Sequence, residues 1–205
     1  MSESVKLSVI YYSATGVGTT IAREIAETAE KEGAEVRLRK AAELAPAEAI
    51  ASNPAWAANV EATADVAEAT PDDIVWADAV IFGSPTRYGN IAAQLKQFID
   101  TLGPQWAQGL LADKVYSGFT STSTAHGGQE STLLALSNSF YHFGGIIVPP
   151  GYTDPSKFAD GNPYGTSHVD AQGGNPVADQ TRTAAQVQTR RVLRVAAALT
   201  GRGAF

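Results

Sequence analysis

The feature that most constrains this chain is an alternation of short apolar runs with longer stretches of helical periodicity. Lys6 to Tyr12 (KLSVIYY), Asp78 to Ser84 (DAVIFGS) and Val115 to Thr120 (VYSGFT) carry little polar content. Such runs suit strands buried on both faces, the condition of a parallel sheet covered by helices. Glu35 to Arg39 and Ile146 to Val148 are two further strand candidates, the second ended by Pro149 and Pro150. Thr19 to Lys31 places Ile21, Ala22, Ile25, Ala26 and Ala29 at helical spacing. Ile91 to Leu102, Glu130 to Phe143 and Ala178 to Leu199 read as helices too, with Asn90 as the N-cap of the first of these. Strands alternating with helices predict an α/β fold: a doubly wound, five-stranded parallel sheet with helices on both faces.

A chain of 205 residues can bury one sizeable core, so the expectation is a single domain over 1–205. It carries an insertion over about 41–73, Ala-rich and broken by Pro46 and Pro54, read as short helices and loops. Thr70-Pro71-Asp72-Asp73 closes the insertion as an N-cap with proline at the first helical position, leading a short helix through Trp76. A stretch over about 151–177, rich in Gly, Pro, Asn and Asp, reads as a long surface loop. The chain has no cysteine, which removes disulfides, thiolate metal sites and a cysteine nucleophile. A net charge of -6 argues against nucleic acid as a partner. Arg190, Arg191 and Arg194 read as a solvated helix face that complements the helix dipole. No run suits a membrane span, and a cytoplasmic location is the default expectation.

Ligands on doubly wound sheets bind beyond the carboxyl ends of the strands, where the strand order reverses. The loops leaving the first, third and fourth strands are therefore the candidates. Ser13 to Thr20 holds four hydroxyl residues and two glycines at the start of a helix, without lysine or arginine. It lacks the GK[ST] ending of a P-loop and the third glycine of a dinucleotide fingerprint. A monophosphate held by amides and hydroxyls fits it, and so does a tight turn with hydroxyl capping. Pro85 to Asn90 sets an arginine, an aromatic ring and an amide at the end of the most apolar strand, suited to a flat heterocycle, while a plain turn with Asn90 as a cap accounts for Gly89 and Asn90 but not Arg87. Ser121 to Gln129 offers further amides and hydroxyls.

YYSATGVGTT, FGSPTRYGN, FTSTSTAHGGQE and HFGGIIVPPGY, in that order, resemble the WrbA family of flavodoxin-like NAD(P)H:quinone oxidoreductases. The resemblance covers nearly the whole chain, insertion included. It implies a flavodoxin-like fold, FMN as cofactor, NADH or NADPH as electron donor, quinones as acceptors, and a homotetramer. By position it implies that Ser13, Ala14, Thr15, Gly16, Val17 and Gly18 hold the phosphate. Thr86, Arg87, Tyr88 and Asn90, with Pro85 and Gly89 of the same loop, would meet the isoalloxazine. Ser121, Thr122, Ser123, Thr124, His126, Gly127 and Gly128 would line the ring and ribityl chain. His142 matches a histidine that reaches flavin, often across a subunit boundary, and Trp106, expected in a loop because GPQWAQG carries glycines and a proline, matches an aromatic wall of the substrate site. Thr15 departs from the aromatic residue common there, which leaves NADH against NADPH open. A one-electron carrier of the small flavodoxin kind is the alternative, although Arg87 and His126 contrast with the acidic surround usual for carriers. A non-catalytic regulatory protein is the third reading, with no recognition helix or basic face to support it.

Overall fold

The strand β1 (Lys6–Tyr11) sends Leu7, Val9 and Tyr11 to one side and Ile10 to the other, and both sides are core. β3 (Ala79–Arg87) repeats the pattern, with Ala79 and Ile81 opposite Val80 and Phe82. Alternate side chains of a strand leave on opposite faces, so a sheet made of such strands needs a helical layer on each side. The computed structural model describes residues 3–201. One layer contains α1 (Val17–Lys31) and α9 (Asp179–Thr200), which meet Leu7, Val9 and Ile81. The other contains α4 (Pro71–Trp76), α5 (Ala93–Asp100) and α7 (Gln129–Phe143), whose Ile74, Leu95, Phe98, Leu136 and Phe140 pack with Val80 and Phe82.

With β2 (Glu35–Lys40), β5 (Val115–Thr122) and β6 (Ile146–Ile147), the main sheet runs β2-β1-β3-β5-β6, all parallel. The doubly wound expectation holds. Between β2 and α4 lie α2 (Ala47–Ala51) and α3 (Pro54–Ala62), and α6 (Gly103–Ala107) follows α5. The capping box at Thr70 is present: Asp73 accepts from the Thr70 amide at 2.9 Å.

Three expectations are corrected. Thr166–Val169 within the 151–177 stretch forms a strand, β7, parallel to Phe119–Thr122 of β5, and α8 (Lys157–Asp160) precedes it. The fifth strand of the sheet is thus split into β6 and β7. β7 is polar yet buried because Gln188 of α9 satisfies it: the Thr166 amide and hydroxyl both donate to Gln188 Oε1, while Gln188 Nε2 donates to Ser117 Oγ and Gly118 O. Asn90 is not a helix cap; it pairs with Arg87 in a hairpin between β3 and β4 (Asn90–Ile91), and α5 starts after Ala92. Arg190 and Arg191 lie mid-helix, remote from the α9 terminus, where Arg190 pairs with Glu32 at 2.7 Å and Arg191 donates to Pro149 O. Among the described residues no helix is long and apolar enough to cross a membrane.

Candidate functional site

The first loop turns from β1 into α1 through Gly16, which is the N-cap at φ 96°, a left-handed value that glycine adopts without a Cβ penalty. Its amide donates to Ser13 Oγ at 3.1 Å. Among the described residues no side chain caps α1, so its first-turn amides have neither a side-chain cap nor a carbonyl of their own helix. A Cβ on Gly18 would stand 3.1 Å from Ser13 Cβ, which explains the second glycine.

The second loop is a two-residue hairpin. Tyr88 and Gly89 both have positive φ, 54° and 78°, as a type I′ turn requires. Thr86 Oγ1 is its hub. It accepts from the Gly89 amide at 3.1 Å and from Thr132 Oγ1 at 2.8 Å, and donates to Gly127 O at 3.3 Å. The second and third loops are also packed backbone to backbone, since a Cβ on Gly128 would fall 2.8 Å from Gly89 Cα.

These loops meet in a cleft of about 370 Å³ at the carboxyl ends of β1, β3 and β5. Ser13, Ala14, Thr15 and Val17 line it together with Pro85, Thr86 and Arg87 and with Ser121, Thr122 and Ser123, the β3 loop leaving the sheet between the other two. Arg87 Nη1 donates to the Thr86 carbonyl at 2.9 Å, which tethers the guanidinium near the cleft. Gly16, Gly18, Gly89 and Gly128 belong to the same loops but do not line the cleft. Tyr88 projects fully into solvent, and its ring does not line the cleft of its own chain. Thr124 and His126 sit exposed on the third loop, where the Gly127 amide bonds Thr124 O at 3.0 Å. Trp106 lies in α6, contrary to the expected loop, and with His142 and Asn90 it lines a separate apolar groove of about 480 Å³ between α5, α6 and α7.

The sequence pattern of the NADPH-dependent FMN reductase family matches residues 5–158. This chain belongs to that family. Among its relatives, the NAD(P)H dehydrogenase (quinone) of Deinococcus radiodurans is 46% identical over 202 residues, spanning 98% of this chain and all of the relative. The protein of the same name from Brucella abortus is 39% identical over 203 residues, spanning 96% and 100%. A crystal structure of a WrbA-like flavodoxin protein from Agrobacterium tumefaciens superimposes with a TM-score of 0.66 at 26% identity, covering 94% of this chain and 98% of that one.

In this FMN reductase family member, two cleft walls come from residues that sequence reasoning passed over. Asn53 and Ala55 reach the cleft from the start of α3, and Asp170, Gln172 and Gly173 from the segment after β7. Asn53 was legible as a cap before Pro54, and its side chain does accept from the Ala55 and Trp56 amides. The turn after β7 holds Ala171, Gln172 and Gly173 in succession at positive φ, a conformation that only surrounding structure sustains.

Behind the cleft, Glu43 gathers three elements. It accepts from the Tyr12 hydroxyl at 3.0 Å, the Trp56 indole at 2.9 Å and Gln94 Nε2 at 2.9 Å. Burial works to raise its pKa, but hydrogen bonds from the Ala45 amide, Gln94, Trp56 and Tyr12 outweigh that and hold it below the usual carboxylate range. Burial, aided by the same carboxylate, pushes the Tyr12 phenol well above its ordinary value, so Tyr12 stays a protonated donor.

Proposed function

We propose that this chain is an FMN-dependent NAD(P)H:quinone oxidoreductase, transferring two electrons from NADH or NADPH to a quinone. The observation that carries it is the meeting of three strand-end loops in one cleft against the uncapped N-terminus of α1. The names of the full-length relatives point the same way.

The residues suit FMN. Ser13 to Gly18 present amides and hydroxyls, with no lysine, to a monophosphate at the start of a 15-residue helix. Pro85, Thr86 and Arg87, with Ser121, Thr122 and Ser123 from the adjacent strand end, line a cleft within the range of small-molecule sites. Bound FMN would supply the two-electron redox chemistry between nicotinamide and quinone. Arg87, which lines the cleft, would supply positive charge that favours a reduced, anionic ring. The close approach of Gly128 to the Gly89 backbone holds the second and third loops together.

The reading includes a homotetramer. Trp106, Leu110, Leu134 and Tyr141 are large apolar side chains left exposed around α6 and α7, and such a face supports burial against other copies. Assembly would bring His142 to a neighbouring cleft, as the family resemblance implies for that residue, and Trp106, whose indole bonds the His142 carbonyl, would go with it. A cytoplasmic location goes with a nicotinamide as reductant.

The test is steady-state turnover of NADH and of NADPH with benzoquinone. Double-reciprocal plots at several quinone concentrations are expected to be parallel, because donor and acceptor use one face in turn. Absence of turnover with both nicotinamides, in protein carrying FMN, would refute the enzyme.

A further inference from the structure

We infer that Asn59, supplied by the insertion, is a positioning residue that sets the shape of the phosphate loop before the cofactor arrives. The inference rests on the reading of Ser13 to Gly18 as the phosphate loop.

Asn59 stands in α3, more than forty positions from the loop in sequence, and it is buried. Its Nδ2 donates to the Ser13 carbonyl at 2.8 Å, and its Oδ1 accepts from the Thr19 hydroxyl at 2.8 Å. Ser13 is the first residue of the loop, and Thr19 lies in the first turn of α1. One planar carboxamide therefore spans both ends of the loop and fixes their separation. Its Oδ1 lies 3.4 Å from where a Cβ on Gly16 would be, so the same group backs the N-cap.

The bonding has an electrostatic consequence. A carbonyl oxygen facing a phosphate would repel it. The Ser13 carbonyl is held on Asn59, and the first-turn amides of α1 remain available to an anion. A loop ordered in advance does not spend binding free energy on ordering itself. α3 is itself anchored for this task. Trp56, three residues before Asn59, donates to Glu43, and Glu43 also holds Tyr12, the residue preceding Ser13. Thr63 Oγ1 donates to the Asn59 carbonyl at 2.8 Å.

The experiment compares FMN with riboflavin, which shares the ring and ribityl chain but lacks the phosphate. Dissociation constants of both are measured by fluorescence titration of the full chain freed of flavin. Asn59→Ala is expected to weaken FMN about tenfold, as the loss of two hydrogen bonds of ordinary strength predicts, and to leave riboflavin within about twofold. Thr19→Val should do the same in smaller measure, and Thr19→Ser should restore wild-type binding. The Thr19 pair decides the matter if Asn59→Ala does not fold. A parallel loss of FMN and riboflavin affinity, or no loss of either, overturns the inference when Gly16→Val lowers FMN binding alone. If Gly16→Val leaves the FMN-to-riboflavin ratio unchanged, the phosphate-loop reading falls, and this inference falls with it.

Discussion

The indole N–H of Trp106 donates to the backbone carbonyl of His142 at 2.8 Å. The bond ties α6 to the end of α7 and fixes the rim of the apolar groove, while 56% of the Trp106 surface stays open to solvent. Two residues singled out from the sequence as flavin-side groups thus touch each other, away from the cleft of their own chain. Trp106→Ala should leave FMN content intact and raise the KM for benzoquinone by about three- to tenfold, the worth of an aromatic stack. Loss of FMN or of fold in this variant would make Trp106 a structural anchor instead.

The same geometry makes assembly measurable. Light scattering at micromolar concentration, with FMN present, is expected to report a tetramer. A monomer alone would leave the exposed Trp106, Leu134 and Tyr141 without a role and remove the shared-site reading.

Gly16→Val forces a β-branched residue to the left-handed φ of 96° at the α1 N-cap. FMN affinity should fall by more than tenfold, at least about 1.4 kcal/mol. The far-UV circular dichroism should be unchanged, because the loop lies at the surface.

Lys157 and Asp160 form an ion pair with side chains 0% and 2% exposed, inside the segment between β6 and β7. Removing one partner strands a buried charge, so Lys157→Met should cost about 3–5 kcal/mol in urea unfolding. Adding Asp160→Leu to that variant should recover most of the loss. A single variant as stable as the wild type would show that water reaches the pair.

Acid sensitivity follows from two carboxylates held below their usual range. For Glu43, bonds from Ala45, Gln94, Trp56 and Tyr12 outweigh burial. For Asp73, burial is likewise outweighed by the Thr70 amide and hydroxyl and by Arg39 and Arg37. A depressed folded-state pKa adds stability above the unfolded value, about 4, and that stability is lost as pH falls through the folded value. Thermal melts should therefore weaken on acidification below about pH 4. Glu43→Gln and Asp73→Asn should lower the neutral-pH melting temperature and flatten the acid limb. An unchanged acid limb in both variants would assign the sensitivity to other groups.

The central strands were legible because burial on both faces writes itself as an unbroken apolar run, as in Ala79 to Phe82. β7 was not, because Thr166 and Ser167 are buried by hydrogen bonding to Gln188 and Asn162, which leaves no apolar signature. The hairpin at Tyr88 was missed for a related reason: its turn carries Tyr-Gly in place of the Asn-Gly that usually signals positive φ at both positions. The cleft walls at Ser13 to Val17, Pro85 to Arg87 and Ser121 to Ser123 could be read from strand ends alone. Asn53, Asp170 and Gln172 could not, since tertiary packing of distant segments brings them there.

The split of the fifth strand also bears on how the sheet meets the outside. One border is broken into β6 of two residues and β7 of four, with the chain leaving between them. The opposite border, β2, reads EVRLRK, with Arg37 and Arg39 drawn to Asp73. Short, interrupted or charged borders are poor templates for a foreign strand. Neither side of this sheet gives another chain a long, flat row of amides to extend, so the architecture guards against fibrillar growth at both borders.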